Sequence, residues 1–140
     1  MRNTLFAAMI LAAALTASQA RAGDAYAARL NGASEVPPVA TSGSGSGAVS
    51  YDAKTRTMKW TITWSGLSGP ATMAHFHGPA APGANAGVSV PIDDVTSPST
   101  GSAVLTDAQA ADLKAGRLYI NIHTAANPKG EIRGQVMHAH

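Results

Sequence analysis

Hydrophobic and polar residues alternate along much of the chain beyond residue 24. The alternation is clearest in residues 56–64, where polar residues separate Met58, Trp60, Ile62 and Trp64. Successive side chains of a strand point to opposite faces of a sheet, so this period of two predicts a strand with one buried face. The same pattern recurs in residues 117–123 and 131–136, where the inward positions are Leu118, Ile120, Ile122, Ile132 and Val136.

Shorter candidate strands lie at residues 25–30, 47–51, 72–77, 88–92 and 102–105, separated by clusters of Gly, Pro, Ser and Asn. Residues 41–47 (TSGSGSG) predict a flexible loop. Residues 106–115 predict a helix, because Thr106 can cap its start and Gly116 can end it. The pattern therefore predicts an all-β fold, an antiparallel β-sandwich of about eight strands with one short helix.

Residues 1–22 have the layout of a secretory signal peptide. A short positive start precedes the apolar run LFAAMILAAAL, and small residues follow at Ser18, Ala20 and Ala22. An apolar run of roughly 11 residues is too short for a membrane span, which needs about 20. We expect cleavage after Ala20 or Ala22, a working domain at residues 23–140, and a periplasmic or secreted protein.

Charge and cysteine content then exclude several classes of function. Residues 1–22 hold two of the ten basic residues and none of the eight acidic ones, so the remaining chain is balanced. A neutral domain lacks the electrostatic attraction for nucleic acid or anionic membranes, and we exclude both partners. The chain contains no Cys, which excludes disulfides, thiolate nucleophiles and Cys-type metal sites.

Histidines supply the candidate chemistry. His75 and His77 flank Phe76, and in a strand residues i and i+2 share a face, so both rings point away from Phe76. His123 lies on the polar side of its own strand. If these strands pair, the three imidazoles converge on one position that suits Cu or Zn. Met73 or Met137 could add a ligand for Cu(I), and His138 and His140 are weaker candidates in the tail.

The same residues have a structural interpretation. The histidines can serve only as hydrogen-bonding residues that tie strands to loops. Glu131 and Arg133 face the same way, which predicts an ion pair between them. No Ser, Lys or carboxylate pair has the local signature of a nucleophile or an acid–base dyad, so we predict no catalytic residue.

With these residues laid out, the chain resembles a CHRD domain, the module named after its copies in chordin. The matching segments are AARL (27–30), EVPPV (35–39), SGSGA (44–48), TMAHFHGP (72–79), LKAGRLYINIHT (113–124) and NPKGEIRGQ (127–135). Chordin domains belong to an extracellular growth-factor antagonist. Stand-alone exported bacterial copies have no settled biochemical role, so the resemblance implies the fold and an extracytoplasmic location rather than an activity.

Three classes of function follow. The first is an exported protein that binds one Cu or Zn ion through His75, His77 and His123, for storage, delivery or protection. The second is a module that binds an extracytoplasmic protein or surface polymer, with structural histidines. The third is a copper enzyme, because the His-Phe-His strand is similar in outline to copper/zinc superoxide dismutase. That family adds a bridging His, further zinc ligands and a disulfide, which argues against the third class.

Overall fold

The computed structural model describes residues 23–140, so the predicted signal peptide at 1–22 lies outside the described residues. Nine strands and one helix make up the described part. They are β1 (Asp24–Asn31), β2 (Ser44–Asp52), β3 (Thr57–Ser65), β4 (Ala71–His77), β5 (Val88–Ile92), β6 (Ser99–Val104), α1 (Asp107–Lys114), β7 (Tyr119–Thr124), β8 (Ile132–Gln135) and β9 (Met137–His138).

All strand pairs are antiparallel, and they follow the order β5-β4-β7-β8-β1-β2-β3-β6, with the two-residue β9 also on β1. The sheet curls until its two halves face each other. Trp60 of β3 meets Phe76 of β4 edge-on, with ring centroids 5.1 Å apart. The predicted all-β sandwich is therefore confirmed in the form of one nearly closed antiparallel sheet.

The core occupies the space between these halves. Trp60 and Ile62 of β3 and Ile120 and Ile122 of β7 are buried there, as their alternation predicts. Trp64, at the end of β3, is only half-buried. Period-two alternation thus identified the inner face, and it also fixes which side chains of β4 and β7 must lie on the outer face.

The expected flexible loop at 41–47 is wrong in its second half, because β2 begins at Ser44 and pairs with both β1 and β3. Gly47 of β2 lies in close packing with the opposite half of the sheet. A Cβ added to Gly47 would lie 2.7 Å from Cδ1 of Ile120, across the core. Gly47, one of the glycines that suggested flexibility, therefore makes room for a side chain from the opposite half of the sheet.

Helix α1 joins β6 to β7. Thr106 and Gln109 form a reciprocal capping box at its start, and Gly116, with φ of +69°, follows its last turn. The amide of Gln109 also donates to Ser89 O, which attaches the helix to the end of β5. Within residues 23–140, no helix is long and apolar enough to cross a membrane.

Candidate metal site

Strand β4 presents His75 and His77 on one face and Ala74 and Phe76 on the other. Phe76 and Ala74 are buried in the core, whereas the two histidines are half-buried on the outer face of the sheet. The bulky Phe76 anchors the strand against Trp60, so the alternation leaves the histidines no other side to occupy.

His123 reaches the same place from β7, the antiparallel neighbour of β4. The His75 and His123 rings have centroids 5.0 Å apart, His75 and His77 5.3 Å, and His77 and His123 6.0 Å. One ring nitrogen from each residue lies within 4.8 Å of the others. The shortest separation, between His75 Nδ1 and His123 Nε2, is 3.2 Å.

Backbone carbonyls hold two of the three rings. His77 Nδ1 lies 3.0 Å from Ala86 O, and His123 Nδ1 lies 2.9 Å from Pro128 O. A carbonyl oxygen only accepts, so both Nδ1 atoms carry the proton and donate it. In its neutral form each ring therefore presents Nε2 as a lone pair, which is how a metal-ligating histidine is commonly oriented.

Nε2 of His77 is buried and has no hydrogen-bond partner among the described residues. Burial lowers the pKa of His77 below its usual range, and burial together with the neighbouring His123 lowers the pKa of His75. Both rings are accordingly neutral at pH 7, with a lone pair available to a cation. An unpartnered buried lone pair is costly unless a ligand satisfies it.

A stack of side chains supports His77 from outside. The Tyr119 ring lies parallel to His77, with centroids 5.0 Å apart and an interplanar angle of 4°. The Arg133 guanidinium covers the other side of Tyr119, 4.2 Å from its centroid, and pairs with buried Glu35 at 3.1 Å. The Tyr119 hydroxyl donates to Ala86 O at 3.1 Å and accepts from Ala86 N–H at 3.0 Å.

A second buried carboxylate, Glu131, supports the opposite side of the cluster. Its Oε1 accepts hydrogen bonds from the side chains of Thr124 (2.8 Å), Asn127 (3.1 Å) and Ser68. Its Oε2 accepts from Thr41 Oγ1 at 2.8 Å and from Ser68 N–H at 3.0 Å. One of these donors, Asn127, belongs to the turn between β7 and β8 that supplies the carbonyl acceptor of His123, and Thr124 is the last residue of β7 before that turn.

A scan against protein-family models matches the CHRD domain over residues 26–136. This chain belongs to the CHRD domain family. Searches of the curated proteins and of the solved structures each gave no match. The matched segment of the CHRD domain contains His75, His77 and His123 and leaves out the two tail histidines.

The CHRD domain thus brings together the three histidines that the sequence singles out. Metal binding by these histidines stays a prediction. The tail lies elsewhere. His138 of β9 packs on Tyr26, with ring centroids 4.4 Å apart. Met137 of β9 pairs with Ala27 and lies against Gly116, so it is beside the end of α1 rather than beside the histidines.

The expected ion pair between Glu131 and Arg133 is wrong. Arg133 pairs with Glu35, and Glu131 binds neutral donors. Residues two positions apart in a strand share a face but are separated by roughly 6.5–7 Å, so each interacts with what lies beside it on neighbouring segments. The polar face of β7 is also not solvent-facing, since Asn121 and His123 are buried beneath loops.

Sequence reasoning missed the residues that hold the rings. Ala86 and Pro128 contribute only their backbone carbonyls, which leave no signature in a sequence. Glu35, which pairs with the Arg133 that covers Tyr119, does stand out in the sequence, because it is the single charged residue between Arg29 and Asp52. Acidic residues are rarely buried unless they are paired, and pairing with a distant residue cannot be read from this isolation alone.

Proposed function

We propose that this CHRD domain binds one Cu or Zn ion through His75, His77 and His123, and serves metal storage, delivery or protection outside the cytoplasm. The observation that carries the proposal is the convergence of the three rings with two tautomers already fixed by backbone carbonyls. Three neutral nitrogen ligands around one position, with a fourth position open, are typical of Cu and Zn sites in proteins.

The spacing of the closest pair, His75 and His123, fits a shared ion. Two nitrogens each ~2.0–2.1 Å from a tetrahedral zinc ion lie about 3.3 Å apart. His75 Nδ1 and His123 Nε2 are 3.2 Å apart. Because His123 Nδ1 already donates to Pro128, a neutral His75 must donate its Nδ1 proton in this pair. Binding of a cation at His75 Nδ1 would require the ring proton to move to Nε2 of the same ring.

The alternative of purely structural histidines requires a partner for each buried ring nitrogen. His77 Nε2 has none in residues 23–140, although Nδ1 of the same ring is fully used. This favours a ligand over a structural role. The group consists of three histidines and no carboxylate, so it offers ligands for one ion and does not support a bridged dinuclear centre of the dismutase type.

An extracytoplasmic location is part of the proposal and rests on residues 1–22, whose composition is typical of a signal peptide. A periplasmic or secreted metal site would be built from His rather than Cys, because a thiolate site is vulnerable to oxidation there. The absence of Cys from the chain fits that setting.

The test is metal titration of protein expressed as the full chain and purified after export. Zn(II) and Cu(II) are titrated into wild type, His75→Ala, His77→Ala and His123→Ala, with His138→Ala as the matched control on β9. We expect one ion per chain, and an affinity at least about tenfold lower in each cluster variant, since each loses a direct ligand.

Elemental analysis of the exported wild type provides a second measurement. His138→Ala should bind as wild type does, because its ring packs on Tyr26 outside the cluster. Equal, weak binding by all five proteins would show that the histidines are structural. Loss of binding in His138→Ala alone would place the site in the tail.

A further inference from the structure

Met73 occupies the position next to the histidines on the same face of β4. Along that strand, Met73, His75 and His77 are at i, i+2 and i+4, whereas the intervening Ala74 and Phe76 are buried in the core. On the neighbouring strand, Met73 is the direct cross-strand partner of His123. The methionine therefore has one histidine beside it along its own strand and another opposite it.

These positions bring its sulfur within reach of the cluster. Side chains directly opposite each other in an antiparallel pair have Cβ atoms about 4.5–5.5 Å apart. Met is unbranched, with three rotatable bonds between its backbone and its terminal methyl, so the thioether can turn toward a ligand without moving the strand. Met73 is 46% exposed and contributes nothing to the core, so it is free to make that movement.

A thioether is a soft ligand. It favours Cu(I), whereas Zn(II) in proteins is bound by His, thiolate and carboxylate. We infer that the Met73 thioether is the fourth ligand of the site and that it makes the site selective for Cu(I) over Zn(II). This inference rests on the proposed metal-binding function and narrows it to one metal.

Met137 provides the matched control. It is also an exposed methionine near the end of a strand, at 51% exposure, but it pairs with Ala27 and lies against Gly116. Leucine replaces either methionine with a similar volume and no sulfur. Any general effect of losing a surface thioether would appear in both variants, whereas loss of a ligand would appear only in Met73→Leu.

The experiment compares wild type, Met73→Leu, Met137→Leu and His75→Ala, purified after export. Cu(I) affinity is measured anaerobically by competition with bicinchoninate, and Zn(II) affinity with a zinc-sensitive chelator. We expect Met73→Leu to lower the Cu(I) affinity about tenfold or more while leaving the Zn(II) affinity unchanged. X-ray absorption of the copper-loaded wild type should show one sulfur ligand that is absent from Met73→Leu.

The outcomes separate the two proposals. If Met73→Leu binds Cu(I) as tightly as wild type while His75→Ala loses both metals, the methionine ligand is wrong and the histidine site stands. An equal loss of Cu(I) and Zn(II) affinity in Met73→Leu would also overturn selectivity by the thioether. If wild type binds neither metal, the proposed function fails and this inference fails with it.

Discussion

Glu35 and Glu131 are both buried beside the histidine cluster, but the fold stabilises their carboxylates in different ways. Glu35 faces a cation, with Oε2 3.1 Å from the Arg133 guanidinium. Glu131 forms no salt bridge within residues 23–140 and instead accepts five hydrogen bonds from neutral donors. The Glu35 carboxylate is thus paired with a positive charge, whereas the Glu131 carboxylate is surrounded by neutral hydrogen-bond donors.

The two arrangements have opposite electrostatic results. Burial raises the pKa of Glu35, and Arg133 only partly offsets this, because the cation is itself removed from water. Burial also acts to raise the pKa of Glu131, but the hydrogen bonds from Ser68, Thr124 and Thr41 bring it down to about 2. The five donors around Glu131 thus favour its ionised form more than the single buried cation favours that of Glu35.

Each carboxylate supports one side of the candidate metal site. Glu35 holds Arg133, which covers the Tyr119 ring that stacks on His77. Glu131 holds the turn whose Pro128 carbonyl orients His123. The networks meet at Gly130, where φ is +122° and an added Cβ would lie 2.5 Å from the Asn121 amide and 2.8 Å from Glu35 Oε1.

The largest effect should come from breaking the charged network. Glu35→Gln leaves the Arg133 guanidinium buried without its anion, and removing one partner of a buried pair costs about 3–5 kcal/mol. Urea unfolding at pH 7 measures this loss. In Glu35→Gln/Arg133→Met the cation is also removed, so the double variant should be more stable than the single one.

An exposed ion pair gives the matched control. Asp107 and Arg56 lie 3.1 Å apart, with side chains 86% and 57% exposed. Asp107→Asn should therefore cost no more than about 1 kcal/mol, the range for surface pairs. Equal losses in Asp107→Asn and Glu35→Gln would show that burial does not decide the energetics of the Glu35 pair.

The hydrogen-bond networks around Glu35 and Glu131 also show how much of the site could be predicted from the sequence. Period-two alternation correctly predicted the buried face of β3 and the side chains of β7 that enter the core, but not that the other face of β7 is buried too. The capping residues predicted α1. The positions of the three histidines on one outer face follow from the same alternation. These are local properties, because a strand or a helix cap is determined by residues close together in the chain.

The supports of the site are not local. Glu35 and Arg133 are 98 positions apart, and Glu131 receives donors as distant as Thr41, 90 positions away. Alternation shows which face a residue occupies but not which loop covers that face. For this reason the charges of Glu131 and Arg133, two positions apart in the chain, suggested an ion pair, whereas their actual partners come from segments that only the fold brings together.

The second prediction concerns the loss of stability at acidic pH. The folded-state pKa of Glu131, about 2, lies below its ordinary value of 4.5, so its contribution to stability is present above pH 4.5 and is lost as the pH falls toward 2. Glu131→Gln removes this dependence. Above pH 5 the variant should be less stable than wild type by at most about 3 kcal/mol, and the difference should shrink steadily by pH 3.

Urea unfolding at pH 7, 5, 4 and 3 measures how the stability of wild type and of Glu131→Gln depends on pH. A difference between wild type and Glu131→Gln that stays constant from pH 7 to pH 3 would contradict the account of Glu131 as a carboxylate stabilised in its ionised form.

The smallest effect should come from removing one donor of the neutral shell. Thr41→Val deletes the hydroxyl that donates to Glu131 Oε2 at 2.8 Å but keeps the side-chain shape. Oε2 still accepts from Ser68 N–H at 3.0 Å, so the carboxylate remains partnered. The Thr41 hydroxyl also accepts from Gly43 N–H at 2.9 Å, so the cost should be about 2 kcal/mol, that of two hydrogen bonds. Thr61→Val on the exposed face of β3 is the control, expected within about 0.5 kcal/mol of wild type by urea unfolding. A loss in Thr41→Val as large as in Glu35→Gln would mean that the five donors act as a single unit, and that the neutral shell is as easily broken as the ion pair.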